Sequence, residues 1–308
     1  MKLCHRFTAL LAAFSGLSLA LPADAQQHAP APQTVEAAPA PEPARPALWK
    51  VSDEDTTIYL FGTIHLLPKG IAWYDGALAK AFDQSDELVT EIPEIEPEGA
   101  GSAVLKYGML PAGQSLRGLM TAREKAKFEA AMRANGLPPA SFDRFKPWYA
   151  AVVLTTVPLQ RKGFDIEHGV ESELADRNKT AGRPRSGLET LDYQLGLFNT
   201  LPMKAQKKYL MDVIGALPTL DKDVAGMVTA WQQGDEAKLA ALLNAEQDDP
   251  GLAKVLLIDR NKTWASWIRA RLDRPGTVFM AVGAGHLGGK GSVQDQLATK
   301  GVKSSRVQ

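Results

Sequence analysis

Two apolar segments that each end in Gly-x-x-His constrain this chain more than any other feature. The first reads TTIYLFGTIH and ends at His65, and the second reads TVFMAVGAGH and ends at His286. Both are rich in β-branched and aromatic residues, which is typical of buried strands. Because few histidines occur in the chain and two of them share this setting, we interpret the pair as an active site. The alternative is that the two histidines have separate structural roles.

The composition is that of a globular protein with a full core. The chain has 308 residues, of which 45% are apolar and 23% charged, and this length suits one large domain or two small ones. Lys+Arg and Asp+Glu number 35 each. A neutral chain lacks the basic footprint of a nucleic-acid binder, so we expect no nucleic-acid partner.

Residues 1–25 have the pattern of an export signal. A charged start precedes the apolar run Phe7–Leu21, which is too short to span a bilayer, and an Ala-x-Ala cleavage site ends at Ala25. We expect a mature chain that begins at Gln26, is periplasmic or secreted, and has no stable membrane insertion. An uncleaved membrane anchor is the alternative. The single cysteine, Cys4, leaves with the signal, which excludes disulfides and thiolate metal sites from the mature chain.

The remaining chain divides into a linker and one folded domain. Residues 26–47 are rich in proline and alanine and have few large apolar side chains, so we predict a disordered linker. Residues 48–308 form the predicted domain. Strand patterns lie near both of its ends, and amphipathic helical patterns dominate between Gly108 and Arg274. The predicted fold class is therefore α/β (α+β), with a central mixed sheet formed by the N- and C-terminal strands and a large helical middle region.

A further short strand, Glu87–Ile92, carries a carboxylate near its C-terminal end. Side chains alternate along a strand, so Glu91 shares a face with Val89. If the strand is central, Glu91 is buried and needs a partner. If it is an edge strand, Glu91 lies in water, and the sequence leaves both alternatives open.

His65, Glu91 and His286 all lie at or just beyond strand ends, where ligands collect in sheets covered by helices. Two neutral imidazoles and one carboxylate can bind a divalent ion and leave positions for water. Nitrogen and oxygen ligands suit Zn, Mn, Co or Fe. Such an ion lowers the pKa of a bound water toward about 7.

Other polar residues also have simple structural explanations. Asp165 fits the N-cap of a helix that is predicted to open at Gly163-Phe164-Asp165. Glu189 fits a residue that simply lies next to the start of the following helix. Arg260 fits a surface charge on a long helix, predicted from about Leu252 to Leu272. His168, placed early in the helix after Asp165, is expected to be exposed.

Several motifs together resemble one family. They are LWK at 48–50, LFGTIH at 60–65, Glu91 in its strand, GFD at 163–165, GLET at 187–190 with Gln194, DRN at 259–261 and VGAGHL at 282–287. In this order they resemble the TraB/GumN (TraB/PrgY/GumN) family. That family is related to the Tiki proteins, described as metal-dependent proteases, and more distantly to EreA-type erythromycin esterases and ChaN-like haem-binding lipoproteins. The resemblance implies a fold of the EreA/ChaN/Tiki type.

The resemblance also implies roles for individual residues. His65, Glu91 and His286 match the metal or catalytic positions, and the implied ion is Mn or Co, with Zn also possible. Further polar positions of the family, which contact substrate or support the ligands, match Asp165, Glu189, Arg260 and Asn261. We assign Arg260 the stabilisation of a developing oxyanion.

We therefore predict an exported metal-dependent hydrolase, specifically a metallopeptidase with a two-His/one-Glu site and a peptide or protein substrate. One alternative is a metal-independent, esterase-like hydrolase in which a histidine oriented by a carboxylate is the general base. The other is a non-catalytic protein that binds haem or a peptide.

Overall fold

The computed structural model describes residues 44–93, 97–244 and 250–308. The predicted export signal, and the predicted linker up to residue 43, lie outside the described residues. The backbone N–H groups of Ala44 and Arg45 donate to carbonyls of the folded domain. These two residues, which precede the predicted boundary at residue 48, therefore contact the domain.

Strands and helices alternate near both ends of the domain, and helices dominate the middle. The strands are β1 Leu48–Ser52, β2 Thr56–Thr63, β3 Leu67–Pro68, β4 Glu87–Thr90, β5 Phe164–Asp165, β6 Arg185–Gly187, β7 Gly276–Gly283 and β8 Ser305–Arg306. The helices are α1 Gly76–Asp83, α2 Pro97–Gly108, α3 Ala122–Ala134, α4 Pro147–Gln160, α5 Val170–Thr180, α6 Leu191–Thr200, α7 Met203–Ala216, α8 Leu220–Gln232, α9 Glu236–Asn244, α10 Pro250–Ala253, α11 Asp259–Arg271 and α12 Val293–Ala298. Short 3-10 turns lie at Arg117–Leu119, Leu217–Thr219 and Ala284–His286.

The central sheet has six strands in the order β6-β4-β7-β2-β1-β8. The first four are parallel, and β1 and β8 continue the sheet in antiparallel pairs. β2 and β7 pair along their whole length, from Thr56 opposite Gly276 to Thr63 opposite Gly283. The predicted α/β class, with a mixed sheet built from both ends of the domain, is confirmed.

Both faces of the sheet are covered, which explains the continuous apolar runs of β2 and β7. On one face, Leu60 and Met280 pack with Trp264 of α11 and Leu297 of α12. On the other face, the larger helical region packs against side chains such as Phe61. Within the described ranges, no helix is long and apolar enough to cross a membrane.

The prediction for the segment after Gly163 is wrong in part. Phe164 and Asp165 form the short strand β5, antiparallel to β3, and α5 begins only at Val170. The Asp165 carboxylate accepts the Glu167 N–H inside a turn, so it does not cap the helix. His168 accordingly lies before the helix, where it is half-buried rather than exposed.

The predicted long helix that carries Arg260 is also interrupted. A π-helical turn, Lys254–Ile258, separates α10 from α11. Arg260 is 2% exposed, so the interpretation of this residue as a surface charge is wrong.

Candidate functional site

Four neighbouring parallel strands end at one edge of the sheet, and each is followed by a polar residue. In sheet order these residues are Glu189 after β6, Glu91 after β4, His286 after β7 and His65 after β2. Because the carboxyl ends of parallel strands meet at the same edge, the topology gathers residues that are distant in the chain. β4 lies between β6 and β7 and Glu91 is 2% exposed, so the alternative of an edge strand is excluded.

His65 is paired with a carboxylate that the sequence did not reveal. Its Nδ1 lies 2.6 Å from Oε1 of Glu171, in the first turn of α5. The Thr63 hydroxyl donates to the same oxygen. Burial raises the pKa of Glu171, but the charge of His65 and the hydrogen bonds from His65 and Thr63 outweigh it, so the pKa is lowered. Glu171 is therefore ionised at neutral pH.

A close backbone contact holds α5 against His65. The Val170 N–H donates to the Ile64 carbonyl over 3.1 Å. A Cβ at Gly169 would lie 2.2 Å from the His65 carbonyl oxygen, a distance that no side chain tolerates. Gly169 thus permits the approach that brings Glu171 to the imidazole.

His286 has a different partner and a defined tautomer. Asn261 Nδ2 donates to the Gly291 carbonyl over 2.8 Å, which turns Asn261 Oδ1 toward the ring, 2.6 Å from His286 Nδ1. Nδ1 therefore carries the proton, and Nε2 is an acceptor that faces Arg260 NH1 at 3.1 Å. Burial, then the positive charges of Arg260 and His65, lower the pKa of His286 well below 6.5. The imidazole is neutral at physiological pH. His65 and His286 follow the adjacent strands β2 and β7, in which Thr63 lies opposite Gly283.

The guanidinium of Arg260 is fully bonded. Nε donates to both carboxylate oxygens of Glu189 at 3.0 Å. NH2 donates to Glu91 Oε2 at 2.6 Å and to Glu189 Oε2 at 2.8 Å. NH1 faces the Leu256 carbonyl and His286 Nε2, both at 3.1 Å. All five N–H groups therefore have acceptors.

The charge of Arg260 is maintained despite its burial. Burial alone would lower the pKa of Arg260, but the charges of Glu91 and Glu189 outweigh it and the pKa is raised. The guanidinium also lies 4.8 Å from the Trp264 ring centre. Arg260 is thus a permanent cation inside the protein.

The two carboxylates receive further hydrogen bonds. Glu91 Oε1 accepts the Gly283 N–H at 2.8 Å, at the end of β7. Gln194 Nε2 donates to Glu91 and to Glu189 at 3.0 Å each. The indole N–H of Trp264 donates to Glu189 Oε1 at 2.9 Å. These bonds connect β4, β6, β7, α6 and α11 in one buried network.

The structure brings together most of the predicted site residues. One hydrogen-bonded cluster contains Glu91, Glu189, Arg260, Asn261 and His286, and His65 lies beyond the end of the adjacent strand β2. Asp165 instead lies on β5, where its carboxylate closes a turn. Sequence reasoning missed Glu171, which has no local pattern beyond its place in a first helical turn. It also gave no role to Gln194, although the GLET motif and this glutamine were recognised together.

The donor types at this edge fit a divalent ion, but their arrangement does not. Both imidazoles direct Nδ1 at an oxygen, the usual support of a histidine that binds metal through Nε2. However, His286 Nε2 and Glu91 Oε2 are already bonded to Arg260. Within the described parts of the chain, no three His, Cys, Asp or Glu side chains form a metal-binding group. The ligand set His65, Glu91 and His286 stays a prediction.

Comparisons with known proteins agree with the sequence motifs. The chain is similar to the "Uncharacterized protein YbaP" of Escherichia coli (strain K12), with 25% identity over 243 residues that cover 78% of this chain and 87% of the relative. It is equally similar to the protein of the same description from Shigella flexneri. No solved structure matches, so the likeness to EreA, ChaN and Tiki folds stays a prediction. The sequence model of the TraB/PrgY/gumN family matches residues 47–306, and the chain therefore belongs to the TraB/PrgY/gumN family.

Proposed function

We propose that the protein is a hydrolase of ester or amide bonds in which His65 is the general base. The observation that carries this proposal is the 2.6 Å contact between His65 Nδ1 and the buried carboxylate of Glu171. A carboxylate on one ring nitrogen orients the imidazole and stabilises the imidazolium that forms when the other nitrogen takes a proton. His65 is 4% exposed and His286 is 0% exposed, so His65 is the imidazole nearer to solvent.

The reaction needs one proton transfer in each direction. A water molecule attacks the carbonyl carbon and gives its proton to His65 Nε2. When the tetrahedral intermediate collapses, the C–O or C–N bond breaks and the imidazolium returns the proton to the leaving group. Glu171 stays ionised throughout. General acid–base catalysis of this kind contributes about 10²–10⁴-fold to the rate.

Arg260 supports this chemistry through its charge. Its five N–H groups already have acceptors, so it does not donate directly to an oxyanion in this arrangement. A fixed positive charge in a buried site still stabilises negative charge that develops nearby. The same charge keeps His286 neutral.

A matched pair of glutamates tests the proposal. Purified protein is assayed on nitrophenyl esters and on a fluorogenic peptide library, with Glu171→Gln compared with Glu173→Gln. Glu173 lies on the same helix but is exposed and paired with Arg177. We expect Glu171→Gln to lower kcat/KM by about 10²–10⁴-fold and Glu173→Gln to leave it unchanged. Equal activity of the two variants, or a wild-type protein that hydrolyses none of these substrates, contradicts the proposal.

A metal-dependent peptidase is the second candidate; the number of carboxylates favours it, but Arg260 would first have to release Glu91 and His286. Glu91 and Glu189 pair with the guanidinium of Arg260, and Glu171 pairs with His65, so these carboxylates outnumber the one permanent cation and a divalent cation would offset the excess. The residues that would hold the ion are His65, Glu91 and His286. A bound ion would supply a water of lowered pKa. The substrate in this case is a peptide or protein.

Metal analysis separates the two candidates. Protein purified without a histidine tag is analysed for bound elements, with the wild type compared with His65→Ala and His286→Ala. Hydrolysis that survives strong chelation supports the general-base mechanism. One equivalent of a transition metal, lost in both variants together with activity, supports the metallopeptidase.

The proposed cellular location has its own test. We propose that the protein is exported and acts in the periplasm or outside the cell, from the signal-like pattern of residues 1–25. Intact mass and N-terminal sequence of protein from the periplasmic fraction should give a chain that begins at Gln26. A full-length chain in the cytoplasm contradicts this.

A further inference from the structure

We infer that Arg260 and a divalent transition-metal ion are alternative occupants of one buried site, and that the guanidinium is the occupant in the native chain. Glu91, Glu189 and His286 form this site. The inference does not depend on general-base hydrolysis by His65, because it concerns binding alone, and it is incompatible with the metallopeptidase, which needs an ion at Glu91 and His286 in the native chain.

The acceptors around Arg260 are the atoms that a transition metal uses. NH1 faces the lone pair of His286 Nε2 at 3.1 Å, and NH2 contacts carboxylate oxygens of Glu91 and Glu189 at 2.6 and 2.8 Å. One imidazole nitrogen and two carboxylates are a common ligand set for Zn, Mn or Co. Asn261 fixes the His286 tautomer so that Nε2 points inward. The guanidinium of Arg260 is therefore held by nitrogen and oxygen atoms that would also suit a transition-metal ion.

Charge explains why the two occupants exclude each other. The carboxylates of Glu91 and Glu189 are 2% and 4% exposed and have Arg260 as their buried cation. Loss of the guanidinium leaves two adjacent buried negative charges, which is unfavourable unless a cation replaces it. A divalent ion neutralises both carboxylates, whereas a divalent ion next to the guanidinium would be repelled.

The backbone before Arg260 is adapted to this position. The π-helical turn Lys254–Ile258 immediately precedes α11, and such turns frequently occur at functional sites. The Leu256 carbonyl, within that turn, accepts a hydrogen bond from Arg260 NH1. The turn thus provides the one acceptor of the guanidinium that belongs neither to a carboxylate nor to a histidine.

The test is cobalt binding to Arg260→Gln, with Arg271→Gln as a matched control. Arg271 lies on the same helix, is buried and pairs with Glu87, but the contacts of its guanidinium include no histidine. Co²⁺ is titrated into the full chain and followed by visible absorption and by the thermal melting temperature. We expect Arg260→Gln to bind one equivalent at least about 100-fold more tightly than the wild type, and Co²⁺ to raise its melting temperature.

Several outcomes overturn the inference. A wild type that binds Co²⁺ as tightly as Arg260→Gln shows that the guanidinium does not compete. A folded Arg260→Gln protein that binds no Co²⁺, or an equal gain in Arg271→Gln, shows that the acceptors do not form a site. Adding His286→Gln to Arg260→Gln should abolish binding.

Poor folding of Arg260→Gln does not remove the test. Folding that is restored by Co²⁺ supports the inference directly. If the variant fails to fold with and without Co²⁺, Arg260→Lys decides, because a buried lysine can lose its proton when a metal ion binds, whereas an arginine cannot. It should bind Co²⁺ about tenfold more tightly than the wild type, and equal affinity contradicts the inference.

Discussion

The two Gly-x-x-His ends look alike in sequence but differ in their surroundings. Both follow buried strands that are adjacent and parallel in the sheet. His65 faces a carboxylate, Glu171, whose own pKa is lowered partly by that histidine. His286 faces an amide, Asn261, and a guanidinium, Arg260, and its pKa is lowered well below 6.5 by burial, then by Arg260 and His65.

The difference shows that the partner of a histidine, rather than its motif, determines its chemistry. An imidazole paired with a carboxylate is supported when it takes a proton. An imidazole that accepts from a guanidinium is kept neutral. We therefore expect one histidine to act as a base and the other to be a fixed acceptor inside the Arg260 network.

The largest expected effect on stability comes from Arg260. Arg260→Gln leaves Glu91 and Glu189 buried without their cation, so we expect the free energy of unfolding to fall by about 3–5 kcal/mol in the absence of metal. Urea denaturation measures this. Arg269→Gln is the control, since Arg269 is in an exposed pair with Asp273 and should lose about 0–1 kcal/mol. Equal losses would show that the buried network contributes little.

Replacing the amide partner of His286 with a carboxylate would give it the same kind of partner as His65 and should raise the pKa of its imidazole. Asn261→Asp places a carboxylate against Nδ1, and we expect the pKa of His286 to rise, because the negative charge favours the protonated ring. The variant also loses the donor to the Gly291 carbonyl, so some loss of stability accompanies the shift. NMR titration of the histidine ring protons measures it, with exposed Asn199→Asp as the control. An unchanged pKa would mean that the partner of Nδ1 does not set the state of His286, which burial and the charges around it then determine.

The packing of α5 against His65 should be sensitive to one methyl group. Gly169→Ala places a Cβ 2.2 Å from the His65 carbonyl, so α5 must shift and carry Glu171 away. We expect a loss of about 1–3 kcal/mol of stability, together with lower hydrolytic activity. Gly215→Ala, at an exposed position of α7 with open space around it, should instead gain about 0.5–1 kcal/mol. A Gly169→Ala protein as stable as the wild type contradicts this contact.

The smallest effect is the pH dependence that His286 contributes. The folded chain keeps His286 neutral, whereas the unfolded chain protonates it below about pH 6.5. The unfolded state then binds more protons, so the free energy of unfolding falls with decreasing pH by up to about 1.4 kcal/mol per unit. His286→Gln should flatten this slope in urea denaturation between about pH 5 and 7. An unchanged slope would assign it to other groups.

Glu171 should contribute to the pH dependence of stability in a separate, more acidic pH range. Its pKa is lowered in the folded chain, so its stabilising contribution is present at neutral pH. That contribution is lost only as the pH falls below the ordinary glutamate value of about 4.3. The contributions of His286 and Glu171 are thus distinguishable by the pH at which stability declines.

Local patterns are sufficient to specify many elements of the fold. Asp75, Thr121, Thr190 and Ser292 cap helices where their side chains bond the first turn, and each signal needs only neighbouring residues. The apolar runs of β2 and β7 predicted buried strands for the same reason. The segment after Gly163 was misread because Asp165 favours a turn as readily as a helix start.

The buried network required contacts that no local pattern encodes. Whether Glu91 is buried depends on β6 and β7 on either side of β4, and β7 is nearly two hundred positions away in the chain. Arg260 is a charged residue on a helix, and only the strand ends beneath α11 surround it with acceptors. The pairing of Glu171 with His65 likewise depends on how α5 meets β2.

The sequence by itself determined that two histidines stand at the ends of buried strands, because residue type and alternation set strand and turn locally. The tertiary structure alone decided what those histidines face. Strand order and helix packing join residues that are far apart in the chain, and the charge of each neighbour then sets the state of the ring. The same Gly-x-x-His motif therefore places His65 against a carboxylate and His286 against a guanidinium.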